Sequence, residues 1–372
     1  MSVLTALLSP LTLLFLIIFV GLAIGQIRIK QISLGIAGIL FAAMLVGVLM
    51  NLWISTENTE IISSAQSTMK VFSSLGTSLF VSVIGLQTGL SLKNKSKESI
   101  IAFIIGSLMS LSGVMMTLLI SLWDKAIRFP TLLGVLCGAL TSTPGLSCVC
   151  ELTTVGSEDA VWGYGASYLL GVIFVVFFAQ FFSKKTSKNQ AQAKPSKVMK
   201  SKAYSELTLI CVIALLGNIL GNIRIAFLPI SFGTTASTLI SGVLLGYIAS
   251  RTRESKQVSL HCLNAFRSIG LALFFTGTGF TTGIKTVSFD IKPVLYGALI
   301  TLIAIFCGWL LCVAFSAKHH LHRGFIIAGG MTSSPAYGAI SYDTNEASVN
   351  CFSFAYFGAL ITLIIALQII VR

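Results

Sequence analysis

The chain has 372 residues, 55% of them hydrophobic and only 10% charged, yet its formal net charge is +13. Soluble domains carry about 25% charged residues, so a water-exposed surface of this size is excluded, and the apolar stretches recur near the roughly 20 residues that cross a bilayer. The basic excess does not point to nucleic acid, because the lysines and arginines sit in short loops between apolar runs, as do charges that anchor spans at a cytoplasmic face.

In chain order, spans are predicted near residues 4–24, 33–52, 71–91, 99–122 and 160–182, then 205–222, 232–250, 268–284, 293–316 and 348–370. The first run lacks the basic start and small-residue cleavage site of a signal peptide and reads as a retained span. Two further apolar pieces, 131–155 and 324–342, carry Thr141-Ser142-Thr143-Pro144-Gly145 and Thr332-Ser333-Ser334-Pro335-Ala336. Between the halves, 183–204 holds Lys184, Lys185, Lys188, Lys194, Lys197, Lys200 and Lys202 with no acid, a basic cytoplasmic linker between a first repeat (1–182) and a second (205–372).

The halves are copies. Gly21, Gly25 and Arg28 realign on Gly217, Gly221 and Arg224; Ser74, Gly76, Phe80 and Gly85 on Ser268, Gly270, Phe274 and Gly279; Gly138 to Gly145 on Gly329 to Ala336, followed by Glu158 and Tyr168 on Glu346 and Tyr356. Three matches in one order make a duplicated unit.

Charge then fixes the topology. If both proline-bearing pieces dip in and return, each half has five true spans, an odd number, and the halves insert upside down relative to each other. Arg28, Lys30, Lys93, Lys95, Lys97, the linker lysines, Arg251, Arg253, Lys256, Arg267, Lys318 and Arg323 then share the cytoplasmic side, which holds most of the 25 basic residues. If both pieces crossed fully, the linker would face the same side as Lys70, Lys125 and Arg128, against the positive-inside bias. The predicted fold is therefore an all-α polytopic membrane protein of two inverted repeats, each with five spans and one broken re-entrant hairpin, with the linker cytoplasmic and both termini outside.

A proline inside an apolar helix removes a donor and clashes with the preceding turn, which predicts breaks at Pro144 and Pro335. Broken backbone at membrane depth survives where protein buries it or where it lines a watery cavity. Its amides and positive helix end suit an anion, and the hydroxyls of Thr141, Ser142, Thr143, Thr332, Ser333 and Ser334 suit a carboxylate or a cation. Paired interruptions in an inverted repeat are the best sequence pointer to a transporter site. Gly85-Leu-Gln-Thr-Gly89 and Gly279-Phe-Thr-Thr-Gly283 are companion motifs: their glycines let helices approach closely, or Gln87, Thr88, Thr281 and Thr282 line the same cavity. The cysteines read as apolar fillers and His319, His320 and His322 as an interfacial basic cluster. No metal site, cofactor motif or catalytic constellation is legible, so no enzyme is expected. No acid sits deep in a span, which weakens a proton relay.

At these residues the chain resembles the aspartate:alanine exchanger family of bacterial permeases. The likeness rests on Gly21-Leu-Ala-Ile-Gly25 with Arg28 and Gly35, on Gly85-Leu-Gln-Thr-Gly89, on Gly138-Ala-Leu-Thr-Ser-Thr-Pro-Gly145, on Tyr164-Gly-Ala-Ser-Tyr168 and on their second-half counterparts. It implies exchange or export of small amino acids or dicarboxylates (aspartate, alanine, glutamate or succinate) across a bacterial inner membrane by an elevator-like, often dimeric transporter. The sequence departs from the family in two places. Only the lysine linker stands where many members carry a soluble regulatory domain, and Leu169 stands where a proline is expected. The expected partners are a small anionic or zwitterionic solute, the lipid bilayer and a second copy of the chain. A coupling Na+ or H+ is left open, as are the rival readings of an ion-coupled transporter for another solute, a channel and a membrane sensor.

Overall fold

The computed structural model describes residues 9–26, 28–29, 32–33, 35–54, 59–92, 96–153, 156–183, 203–222, 233–251, 260–285, 291–316, 321–340 and 346–371. The linker lysines fall outside the described residues. So do Lys93, Lys95, His319, His320 and Asp343.

Among the described residues the chain is a succession of α-helices. The first half gives α1 (Pro10–Gln26), α2 (Gly38–Ile54), α3 (Thr59–Ser91), α4 (Lys97–Trp123), α5 (Phe129–Ala139), α6 (Thr143–Leu152) and α7 (Ser157–Ser183). The second half repeats the series as α8 (Ala203–Asn222), α9 (Gly233–Arg251), α10 (Leu260–Lys285), α11 (Lys292–Ser316), α12 (Arg323–Gly330), α13 (Ser334–Ile340) and α14 (Glu346–Ile370). A two-residue strand pair, β1 (Arg28–Ile29) with β2 (Ile32–Ser33), and a 3-10 turn (Gly35–Ala37) join α1 to α2. By length and composition α3, α4, α7, α11 and α14 are each able to cross a membrane, while α1, α2 and α8 are shorter apolar helices. Their outward faces carry Phe15, Phe19, Leu119, Phe177, Leu215 and Phe306, all exposed, as lipid contact demands.

The inversion is visible in the packing. Equivalent helices α3 and α10 run antiparallel along their lengths, from Met69 beside Gly277 through Gly76 against Gly270 to Gln87 bonded to Asn264. The companion glycines make the other close approaches: Gly85 and Gly89 of α3 meet Gly242 and Gly246 of α9, and Gly279 and Gly283 of α10 meet Ala43 and Gly47 of α2. These are the same contact made twice, once by each repeat, and they give the glycines their packing role.

The proline-bearing pieces are re-entrant hairpins. Pro130 at the start of α5 lies against Gly156, just after α6, and Arg128 pairs with Asp159 at 3.1 Å. Both ends of the piece therefore sit at one end of α7. In the second hairpin the Phe325 ring on α12 meets the Tyr337 ring on α13 at 6.0 Å, as facing arms require.

The packing sorts the helices into two bodies, neither of which is one half of the chain. The helices α1, α2 and α3 pack with α8, α9 and α10; the two hairpins pack with α4, α7, α11 and α14. Each half thus gives three helices to the first body and two plus a hairpin to the second.

Candidate functional site

Each hairpin tip is one helix ending directly into the start of the next. Helix α5 closes with Thr141 N–H bonded to Gly138 O at 2.9 Å and Ser142 N–H bonded to Cys137 O at 2.7 Å. That is the two-bond helix ending in which the residue past the cap turns left-handed, a position glycine usually fills. Here it is Thr141, at φ 52°. The second tip repeats it: Thr332 N–H to Gly329 O at 2.8 Å, Ser333 N–H to Ala328 O at 2.9 Å, and Thr332 at φ 48°. The next residue then caps the outgoing helix, Ser142 Oγ accepting from Gly145 N–H at 3.2 Å and Ser333 Oγ from Ala336 N–H at 3.3 Å.

Sequence reasoning put the breaks at the prolines. The structure puts them three residues earlier, at Leu140–Ser142 and Met331–Ser333, with Pro144 and Pro335 in the first turn of the returning helix. There a missing N–H costs nothing and the fixed φ is already helical. Pro144 carries no N–H, and Gly145 and Ala336 N–H are bonded to serine hydroxyls, so the tips satisfy much of the backbone polarity that was expected to face a solute.

The strained threonines have a use. Thr141 Oγ1 donates to Met331 O at 2.6 Å, and Thr332 Oγ1 donates to Leu140 O at 3.1 Å. Each hydroxyl satisfies the last carbonyl of the other hairpin's incoming helix, a group that helix ends leave without a partner. A left-handed non-glycine residue costs roughly 1–2 kcal/mol, and a buried hydrogen bond contributes about 1 kcal/mol. The bond therefore offsets most of the strain, and glycine in its place could not reach across.

A cavity of about 250 Å³ lies against this junction, lined on the hairpin side by Thr141, Thr143, Pro144, Thr332 and Pro335. Its far wall is α10, which presents Asn264, Arg267, Ser268, Leu271 and Phe275, and it is flanked by the repeat-matched pair Tyr168 and Tyr356. Arg267 is the only charged residue among the described lining. Thr143 Oγ1 sits 3.2 Å from the Tyr164 hydroxyl, whose ring stacks on Tyr168 with centroids 5.1 Å apart.

The companion motifs do not share this cavity. Gln87 Nε2 donates to Asn264 Oδ1 at 3.0 Å at its edge, and Thr88 is buried away from it. Thr281 and Thr282 line a second cavity of about 290 Å³ with Lys70, Ser73, Thr77, Ser147, Glu151 and Glu158. Ser142, Gly145, Ser333 and Ala336 are buried in the tips, and Ser334 opens α13. Sequence reasoning missed Arg267, Asn264 and the tyrosines as wall residues. The recurrence of tyrosine at 168 and 356 was the available signal for two of them.

Cross-links between the bodies lie beside the second cavity. The Glu151 carboxylate on α6 accepts the N–H of Thr234 and, at 2.9 Å, that of Thr235, at the start of α9. Ser147 Oγ lies 3.2 Å from Thr235 Oγ1 and 3.3 Å from Thr77 Oγ1.

Two inverted repeats, intertwined into two bodies with paired re-entrant tips between them, define a multi-pass helical membrane protein. Residues 13–184 and 209–372 match the family described as "Predicted Permease Membrane Region" (Asp-Al_Ex), and the chain belongs to that family, the aspartate:alanine exchanger permeases. It is similar to an uncharacterized transporter of Corynebacterium glutamicum, 38% identical over 179 residues, 45% of this chain and 30% of the relative. Others are an uncharacterized transporter of Desulfotalea psychrophila, 30% identical over 188 residues (50% of this chain and 32% of the relative), and one of Bacteroides fragilis, 25% identical over 248 residues (66% and 41%). These matches span about a third of the relatives' own length. The family is described as a permease membrane region, and these relatives are named as transporters.

Proposed function

We propose that the protein is a secondary active transporter that exchanges or exports small amino acids or dicarboxylates by alternating access across a bacterial inner membrane. In this reading the linker is cytoplasmic, both termini are outside, and two copies associate. The observation that carries it is the cavity between the bodies, walled by both hairpin tips and holding one cation, Arg267. A planar guanidinium pairs with a carboxylate through two parallel hydrogen bonds. Asn264, Ser268, Thr143 and the two tyrosines supply neutral donors and acceptors that orient the rest of a small polar solute. The hairpin body carries one wall and the α10 body the other, so relative movement exchanges the side from which the solute is reached.

Thr141 and Thr332 take a positioning role here, because their hydroxyls already serve the opposite tip. The direct ligands in this proposal are Arg267 and Thr143. The test is counterflow in proteoliposomes with labelled L-aspartate, succinate and L-alanine. The expected result is trans-stimulated uptake, lowered at least tenfold in Arg267→Gln and partly kept in Arg267→Lys. Uptake without trans-stimulation, at rates far above those of a carrier, would identify a channel instead. Counterflow unchanged in Arg267→Gln would remove the cavity from the pathway.

A further inference from the structure

We infer that Glu151 is a proton-binding site whose occupancy decides whether the two bodies part. The inference rests on the two-body movement proposed above and adds what controls it.

Its first support is what the carboxylate holds. Glu151 lies half-buried in the last turn of α6, the returning arm of the first hairpin. Its two oxygens accept the N–H groups of Thr234 and Thr235, which belong to the other body. These are first-turn amides of α9, which no carbonyl of their own helix satisfies, at the helix end that favours negative charge. A carboxylate offers both oxygens as charged acceptors. A carboxylic acid keeps one carbonyl oxygen and turns the other into a hydroxyl donor, which an amide N–H does not need. Protonation therefore replaces a charge-assisted, two-bond grip with a weaker neutral one, and the proton competes with α9 for the same oxygens. The adjacent bridges do not titrate, because Ser147 Oγ meets Thr235 Oγ1 at 3.2 Å and Thr77 Oγ1 at 3.3 Å, hydroxyl to hydroxyl.

Position and sequence add a second support. Glu151 shares the cavity of about 290 Å³ with Glu158, in the first turn of α7, at the end of α7 where the hairpin begins and returns. A proton reaches it there without an acid deep in a span. The equivalent stretch of the second hairpin, Tyr337-Gly-Ala-Ile-Ser-Tyr342, carries no acid, so the duplicated fold itself does not require a carboxylate at this place.

Few titratable groups surround it. Among the described residues the cavity wall adds Lys70 from α3, Glu158 from α7 and Cys150 from α6 itself, and Cys148 lies one turn back on the same helix. The lining parts of α9 and α10 are threonines, a glycine and Phe274, and α5 and α14, which also pack on α6, put no described residue in the wall. Glu158 is thus the rival carboxylate.

Spin labels at Leu244 on α9 and Phe177 on α7, both exposed, report the separation of the bodies in a cysteine-free, full-length chain in detergent. The expected native result is one dominant distance at about pH 8 and a second, several-fold more populated, at about pH 4, where an ordinary glutamate is largely protonated. Glu151→Gln, which keeps the shape and one acceptor, shows the second distance at both pH values, and a retained melting transition shows that this distance belongs to folded protein. Thr234→Pro leaves Glu151 intact but deletes one donor, in a first turn where proline is tolerated, and raises the second distance at about pH 8. Glu158→Gln keeps the native response. A native distance that acid does not move, or a response that survives Glu151→Gln and disappears in Glu158→Gln, overturns the inference. If L-aspartate, succinate or L-alanine moves the distance and acid does not, the proton site falls and the transporter reading stands. If neither acid nor any of these solutes moves it and counterflow is also absent, both fall together.

Discussion

Thr141 and Thr332 do two jobs that conflict locally and agree globally. Each holds a backbone conformation that costs a β-branched residue free energy, and each recovers it through a bond to the other repeat. Thr141→Val keeps the shape and the strain but deletes the donor and leaves Met331 O short of a partner. The expected loss is about 1–3 kcal/mol, read as a lower melting temperature in detergent, with Thr141→Ser close to native. The double variant Thr141→Val, Thr332→Val should lose less than the sum of the single changes, because the two bonds hold one junction. Strict additivity would show that the bonds act independently.

Residue scale is also where the sequence was least legible. The Thr-Ser-Thr-Pro and Thr-Ser-Ser-Pro blocks marked the tips correctly, but composition carries no backbone torsion, so a hydroxyl spent on the opposite hairpin read the same as one offered to a solute. Arg267 was hidden for a different reason. Its repeat mate is Ser73, so the duplication gave no signal, and an arginine near a helix start looks like a charge that anchors topology.

At the scale of elements, glycines and one loop carboxylate set how the helices meet. A Cβ on Gly76 would stand 2.5 Å from the carbonyl oxygen of Gly270, a rigid backbone atom, whereas one on Gly113 would meet only Leu140 and Leu136 side-chain ends at 3.3 Å and beyond. Gly76→Ala should therefore force α3 and α10 apart and cost roughly 1–3 kcal/mol. Gly113→Ala should be nearly silent in the same melting assay. The alternation of such glycines along 85–89 and 279–283 was readable in the sequence; which helix each would face was not, because that depends on how distant segments pack.

Asp124 ties the end of α4 to the start of α11. The Tyr296 hydroxyl at 2.7 Å, the Lys292 ammonium at 2.9 Å and the Ala126 N–H at 3.0 Å all favour its ionised form. They hold its carboxyl at about 2 against an ordinary 3.8. A depressed carboxylate stabilises the fold above its unfolded value and stops doing so as pH falls through its folded one. The melting-temperature difference between native protein and Asp124→Asn should thus be full above pH 3.8 and shrink away toward pH 2. A difference that persists unchanged to pH 2 would mean that the ion pair is not its source.

At the scale of the whole molecule, the division into two bodies is the feature that movement would exploit. Among the described residues Ser147 on α6 and Thr235 on α9 bridge them with side-chain oxygens 3.2 Å apart. In a cysteine-free background, Ser147→Cys with Thr235→Cys should close a disulfide on oxidation and stop counterflow, and reduction should restore it. Transport that continues with the bridge closed would show that the two bodies do not part. The repeat, the inversion and the hairpins were all legible at this scale, because charge bias and self-similarity are summed over many residues. The sorting into bodies was not, since it cuts across the order of the chain.

That sorting carries a consequence for assembly. The first body needs three helices from each copy, and the tip junction needs a hydroxyl from each, so either copy alone is half of two structures and the whole of none. A nascent chain that has inserted only its first copy holds the Leu140 carbonyl waiting at membrane depth for a donor not yet made. The tip junction is therefore complete only once the second repeat supplies Thr332, whose hydroxyl bonds the Leu140 carbonyl.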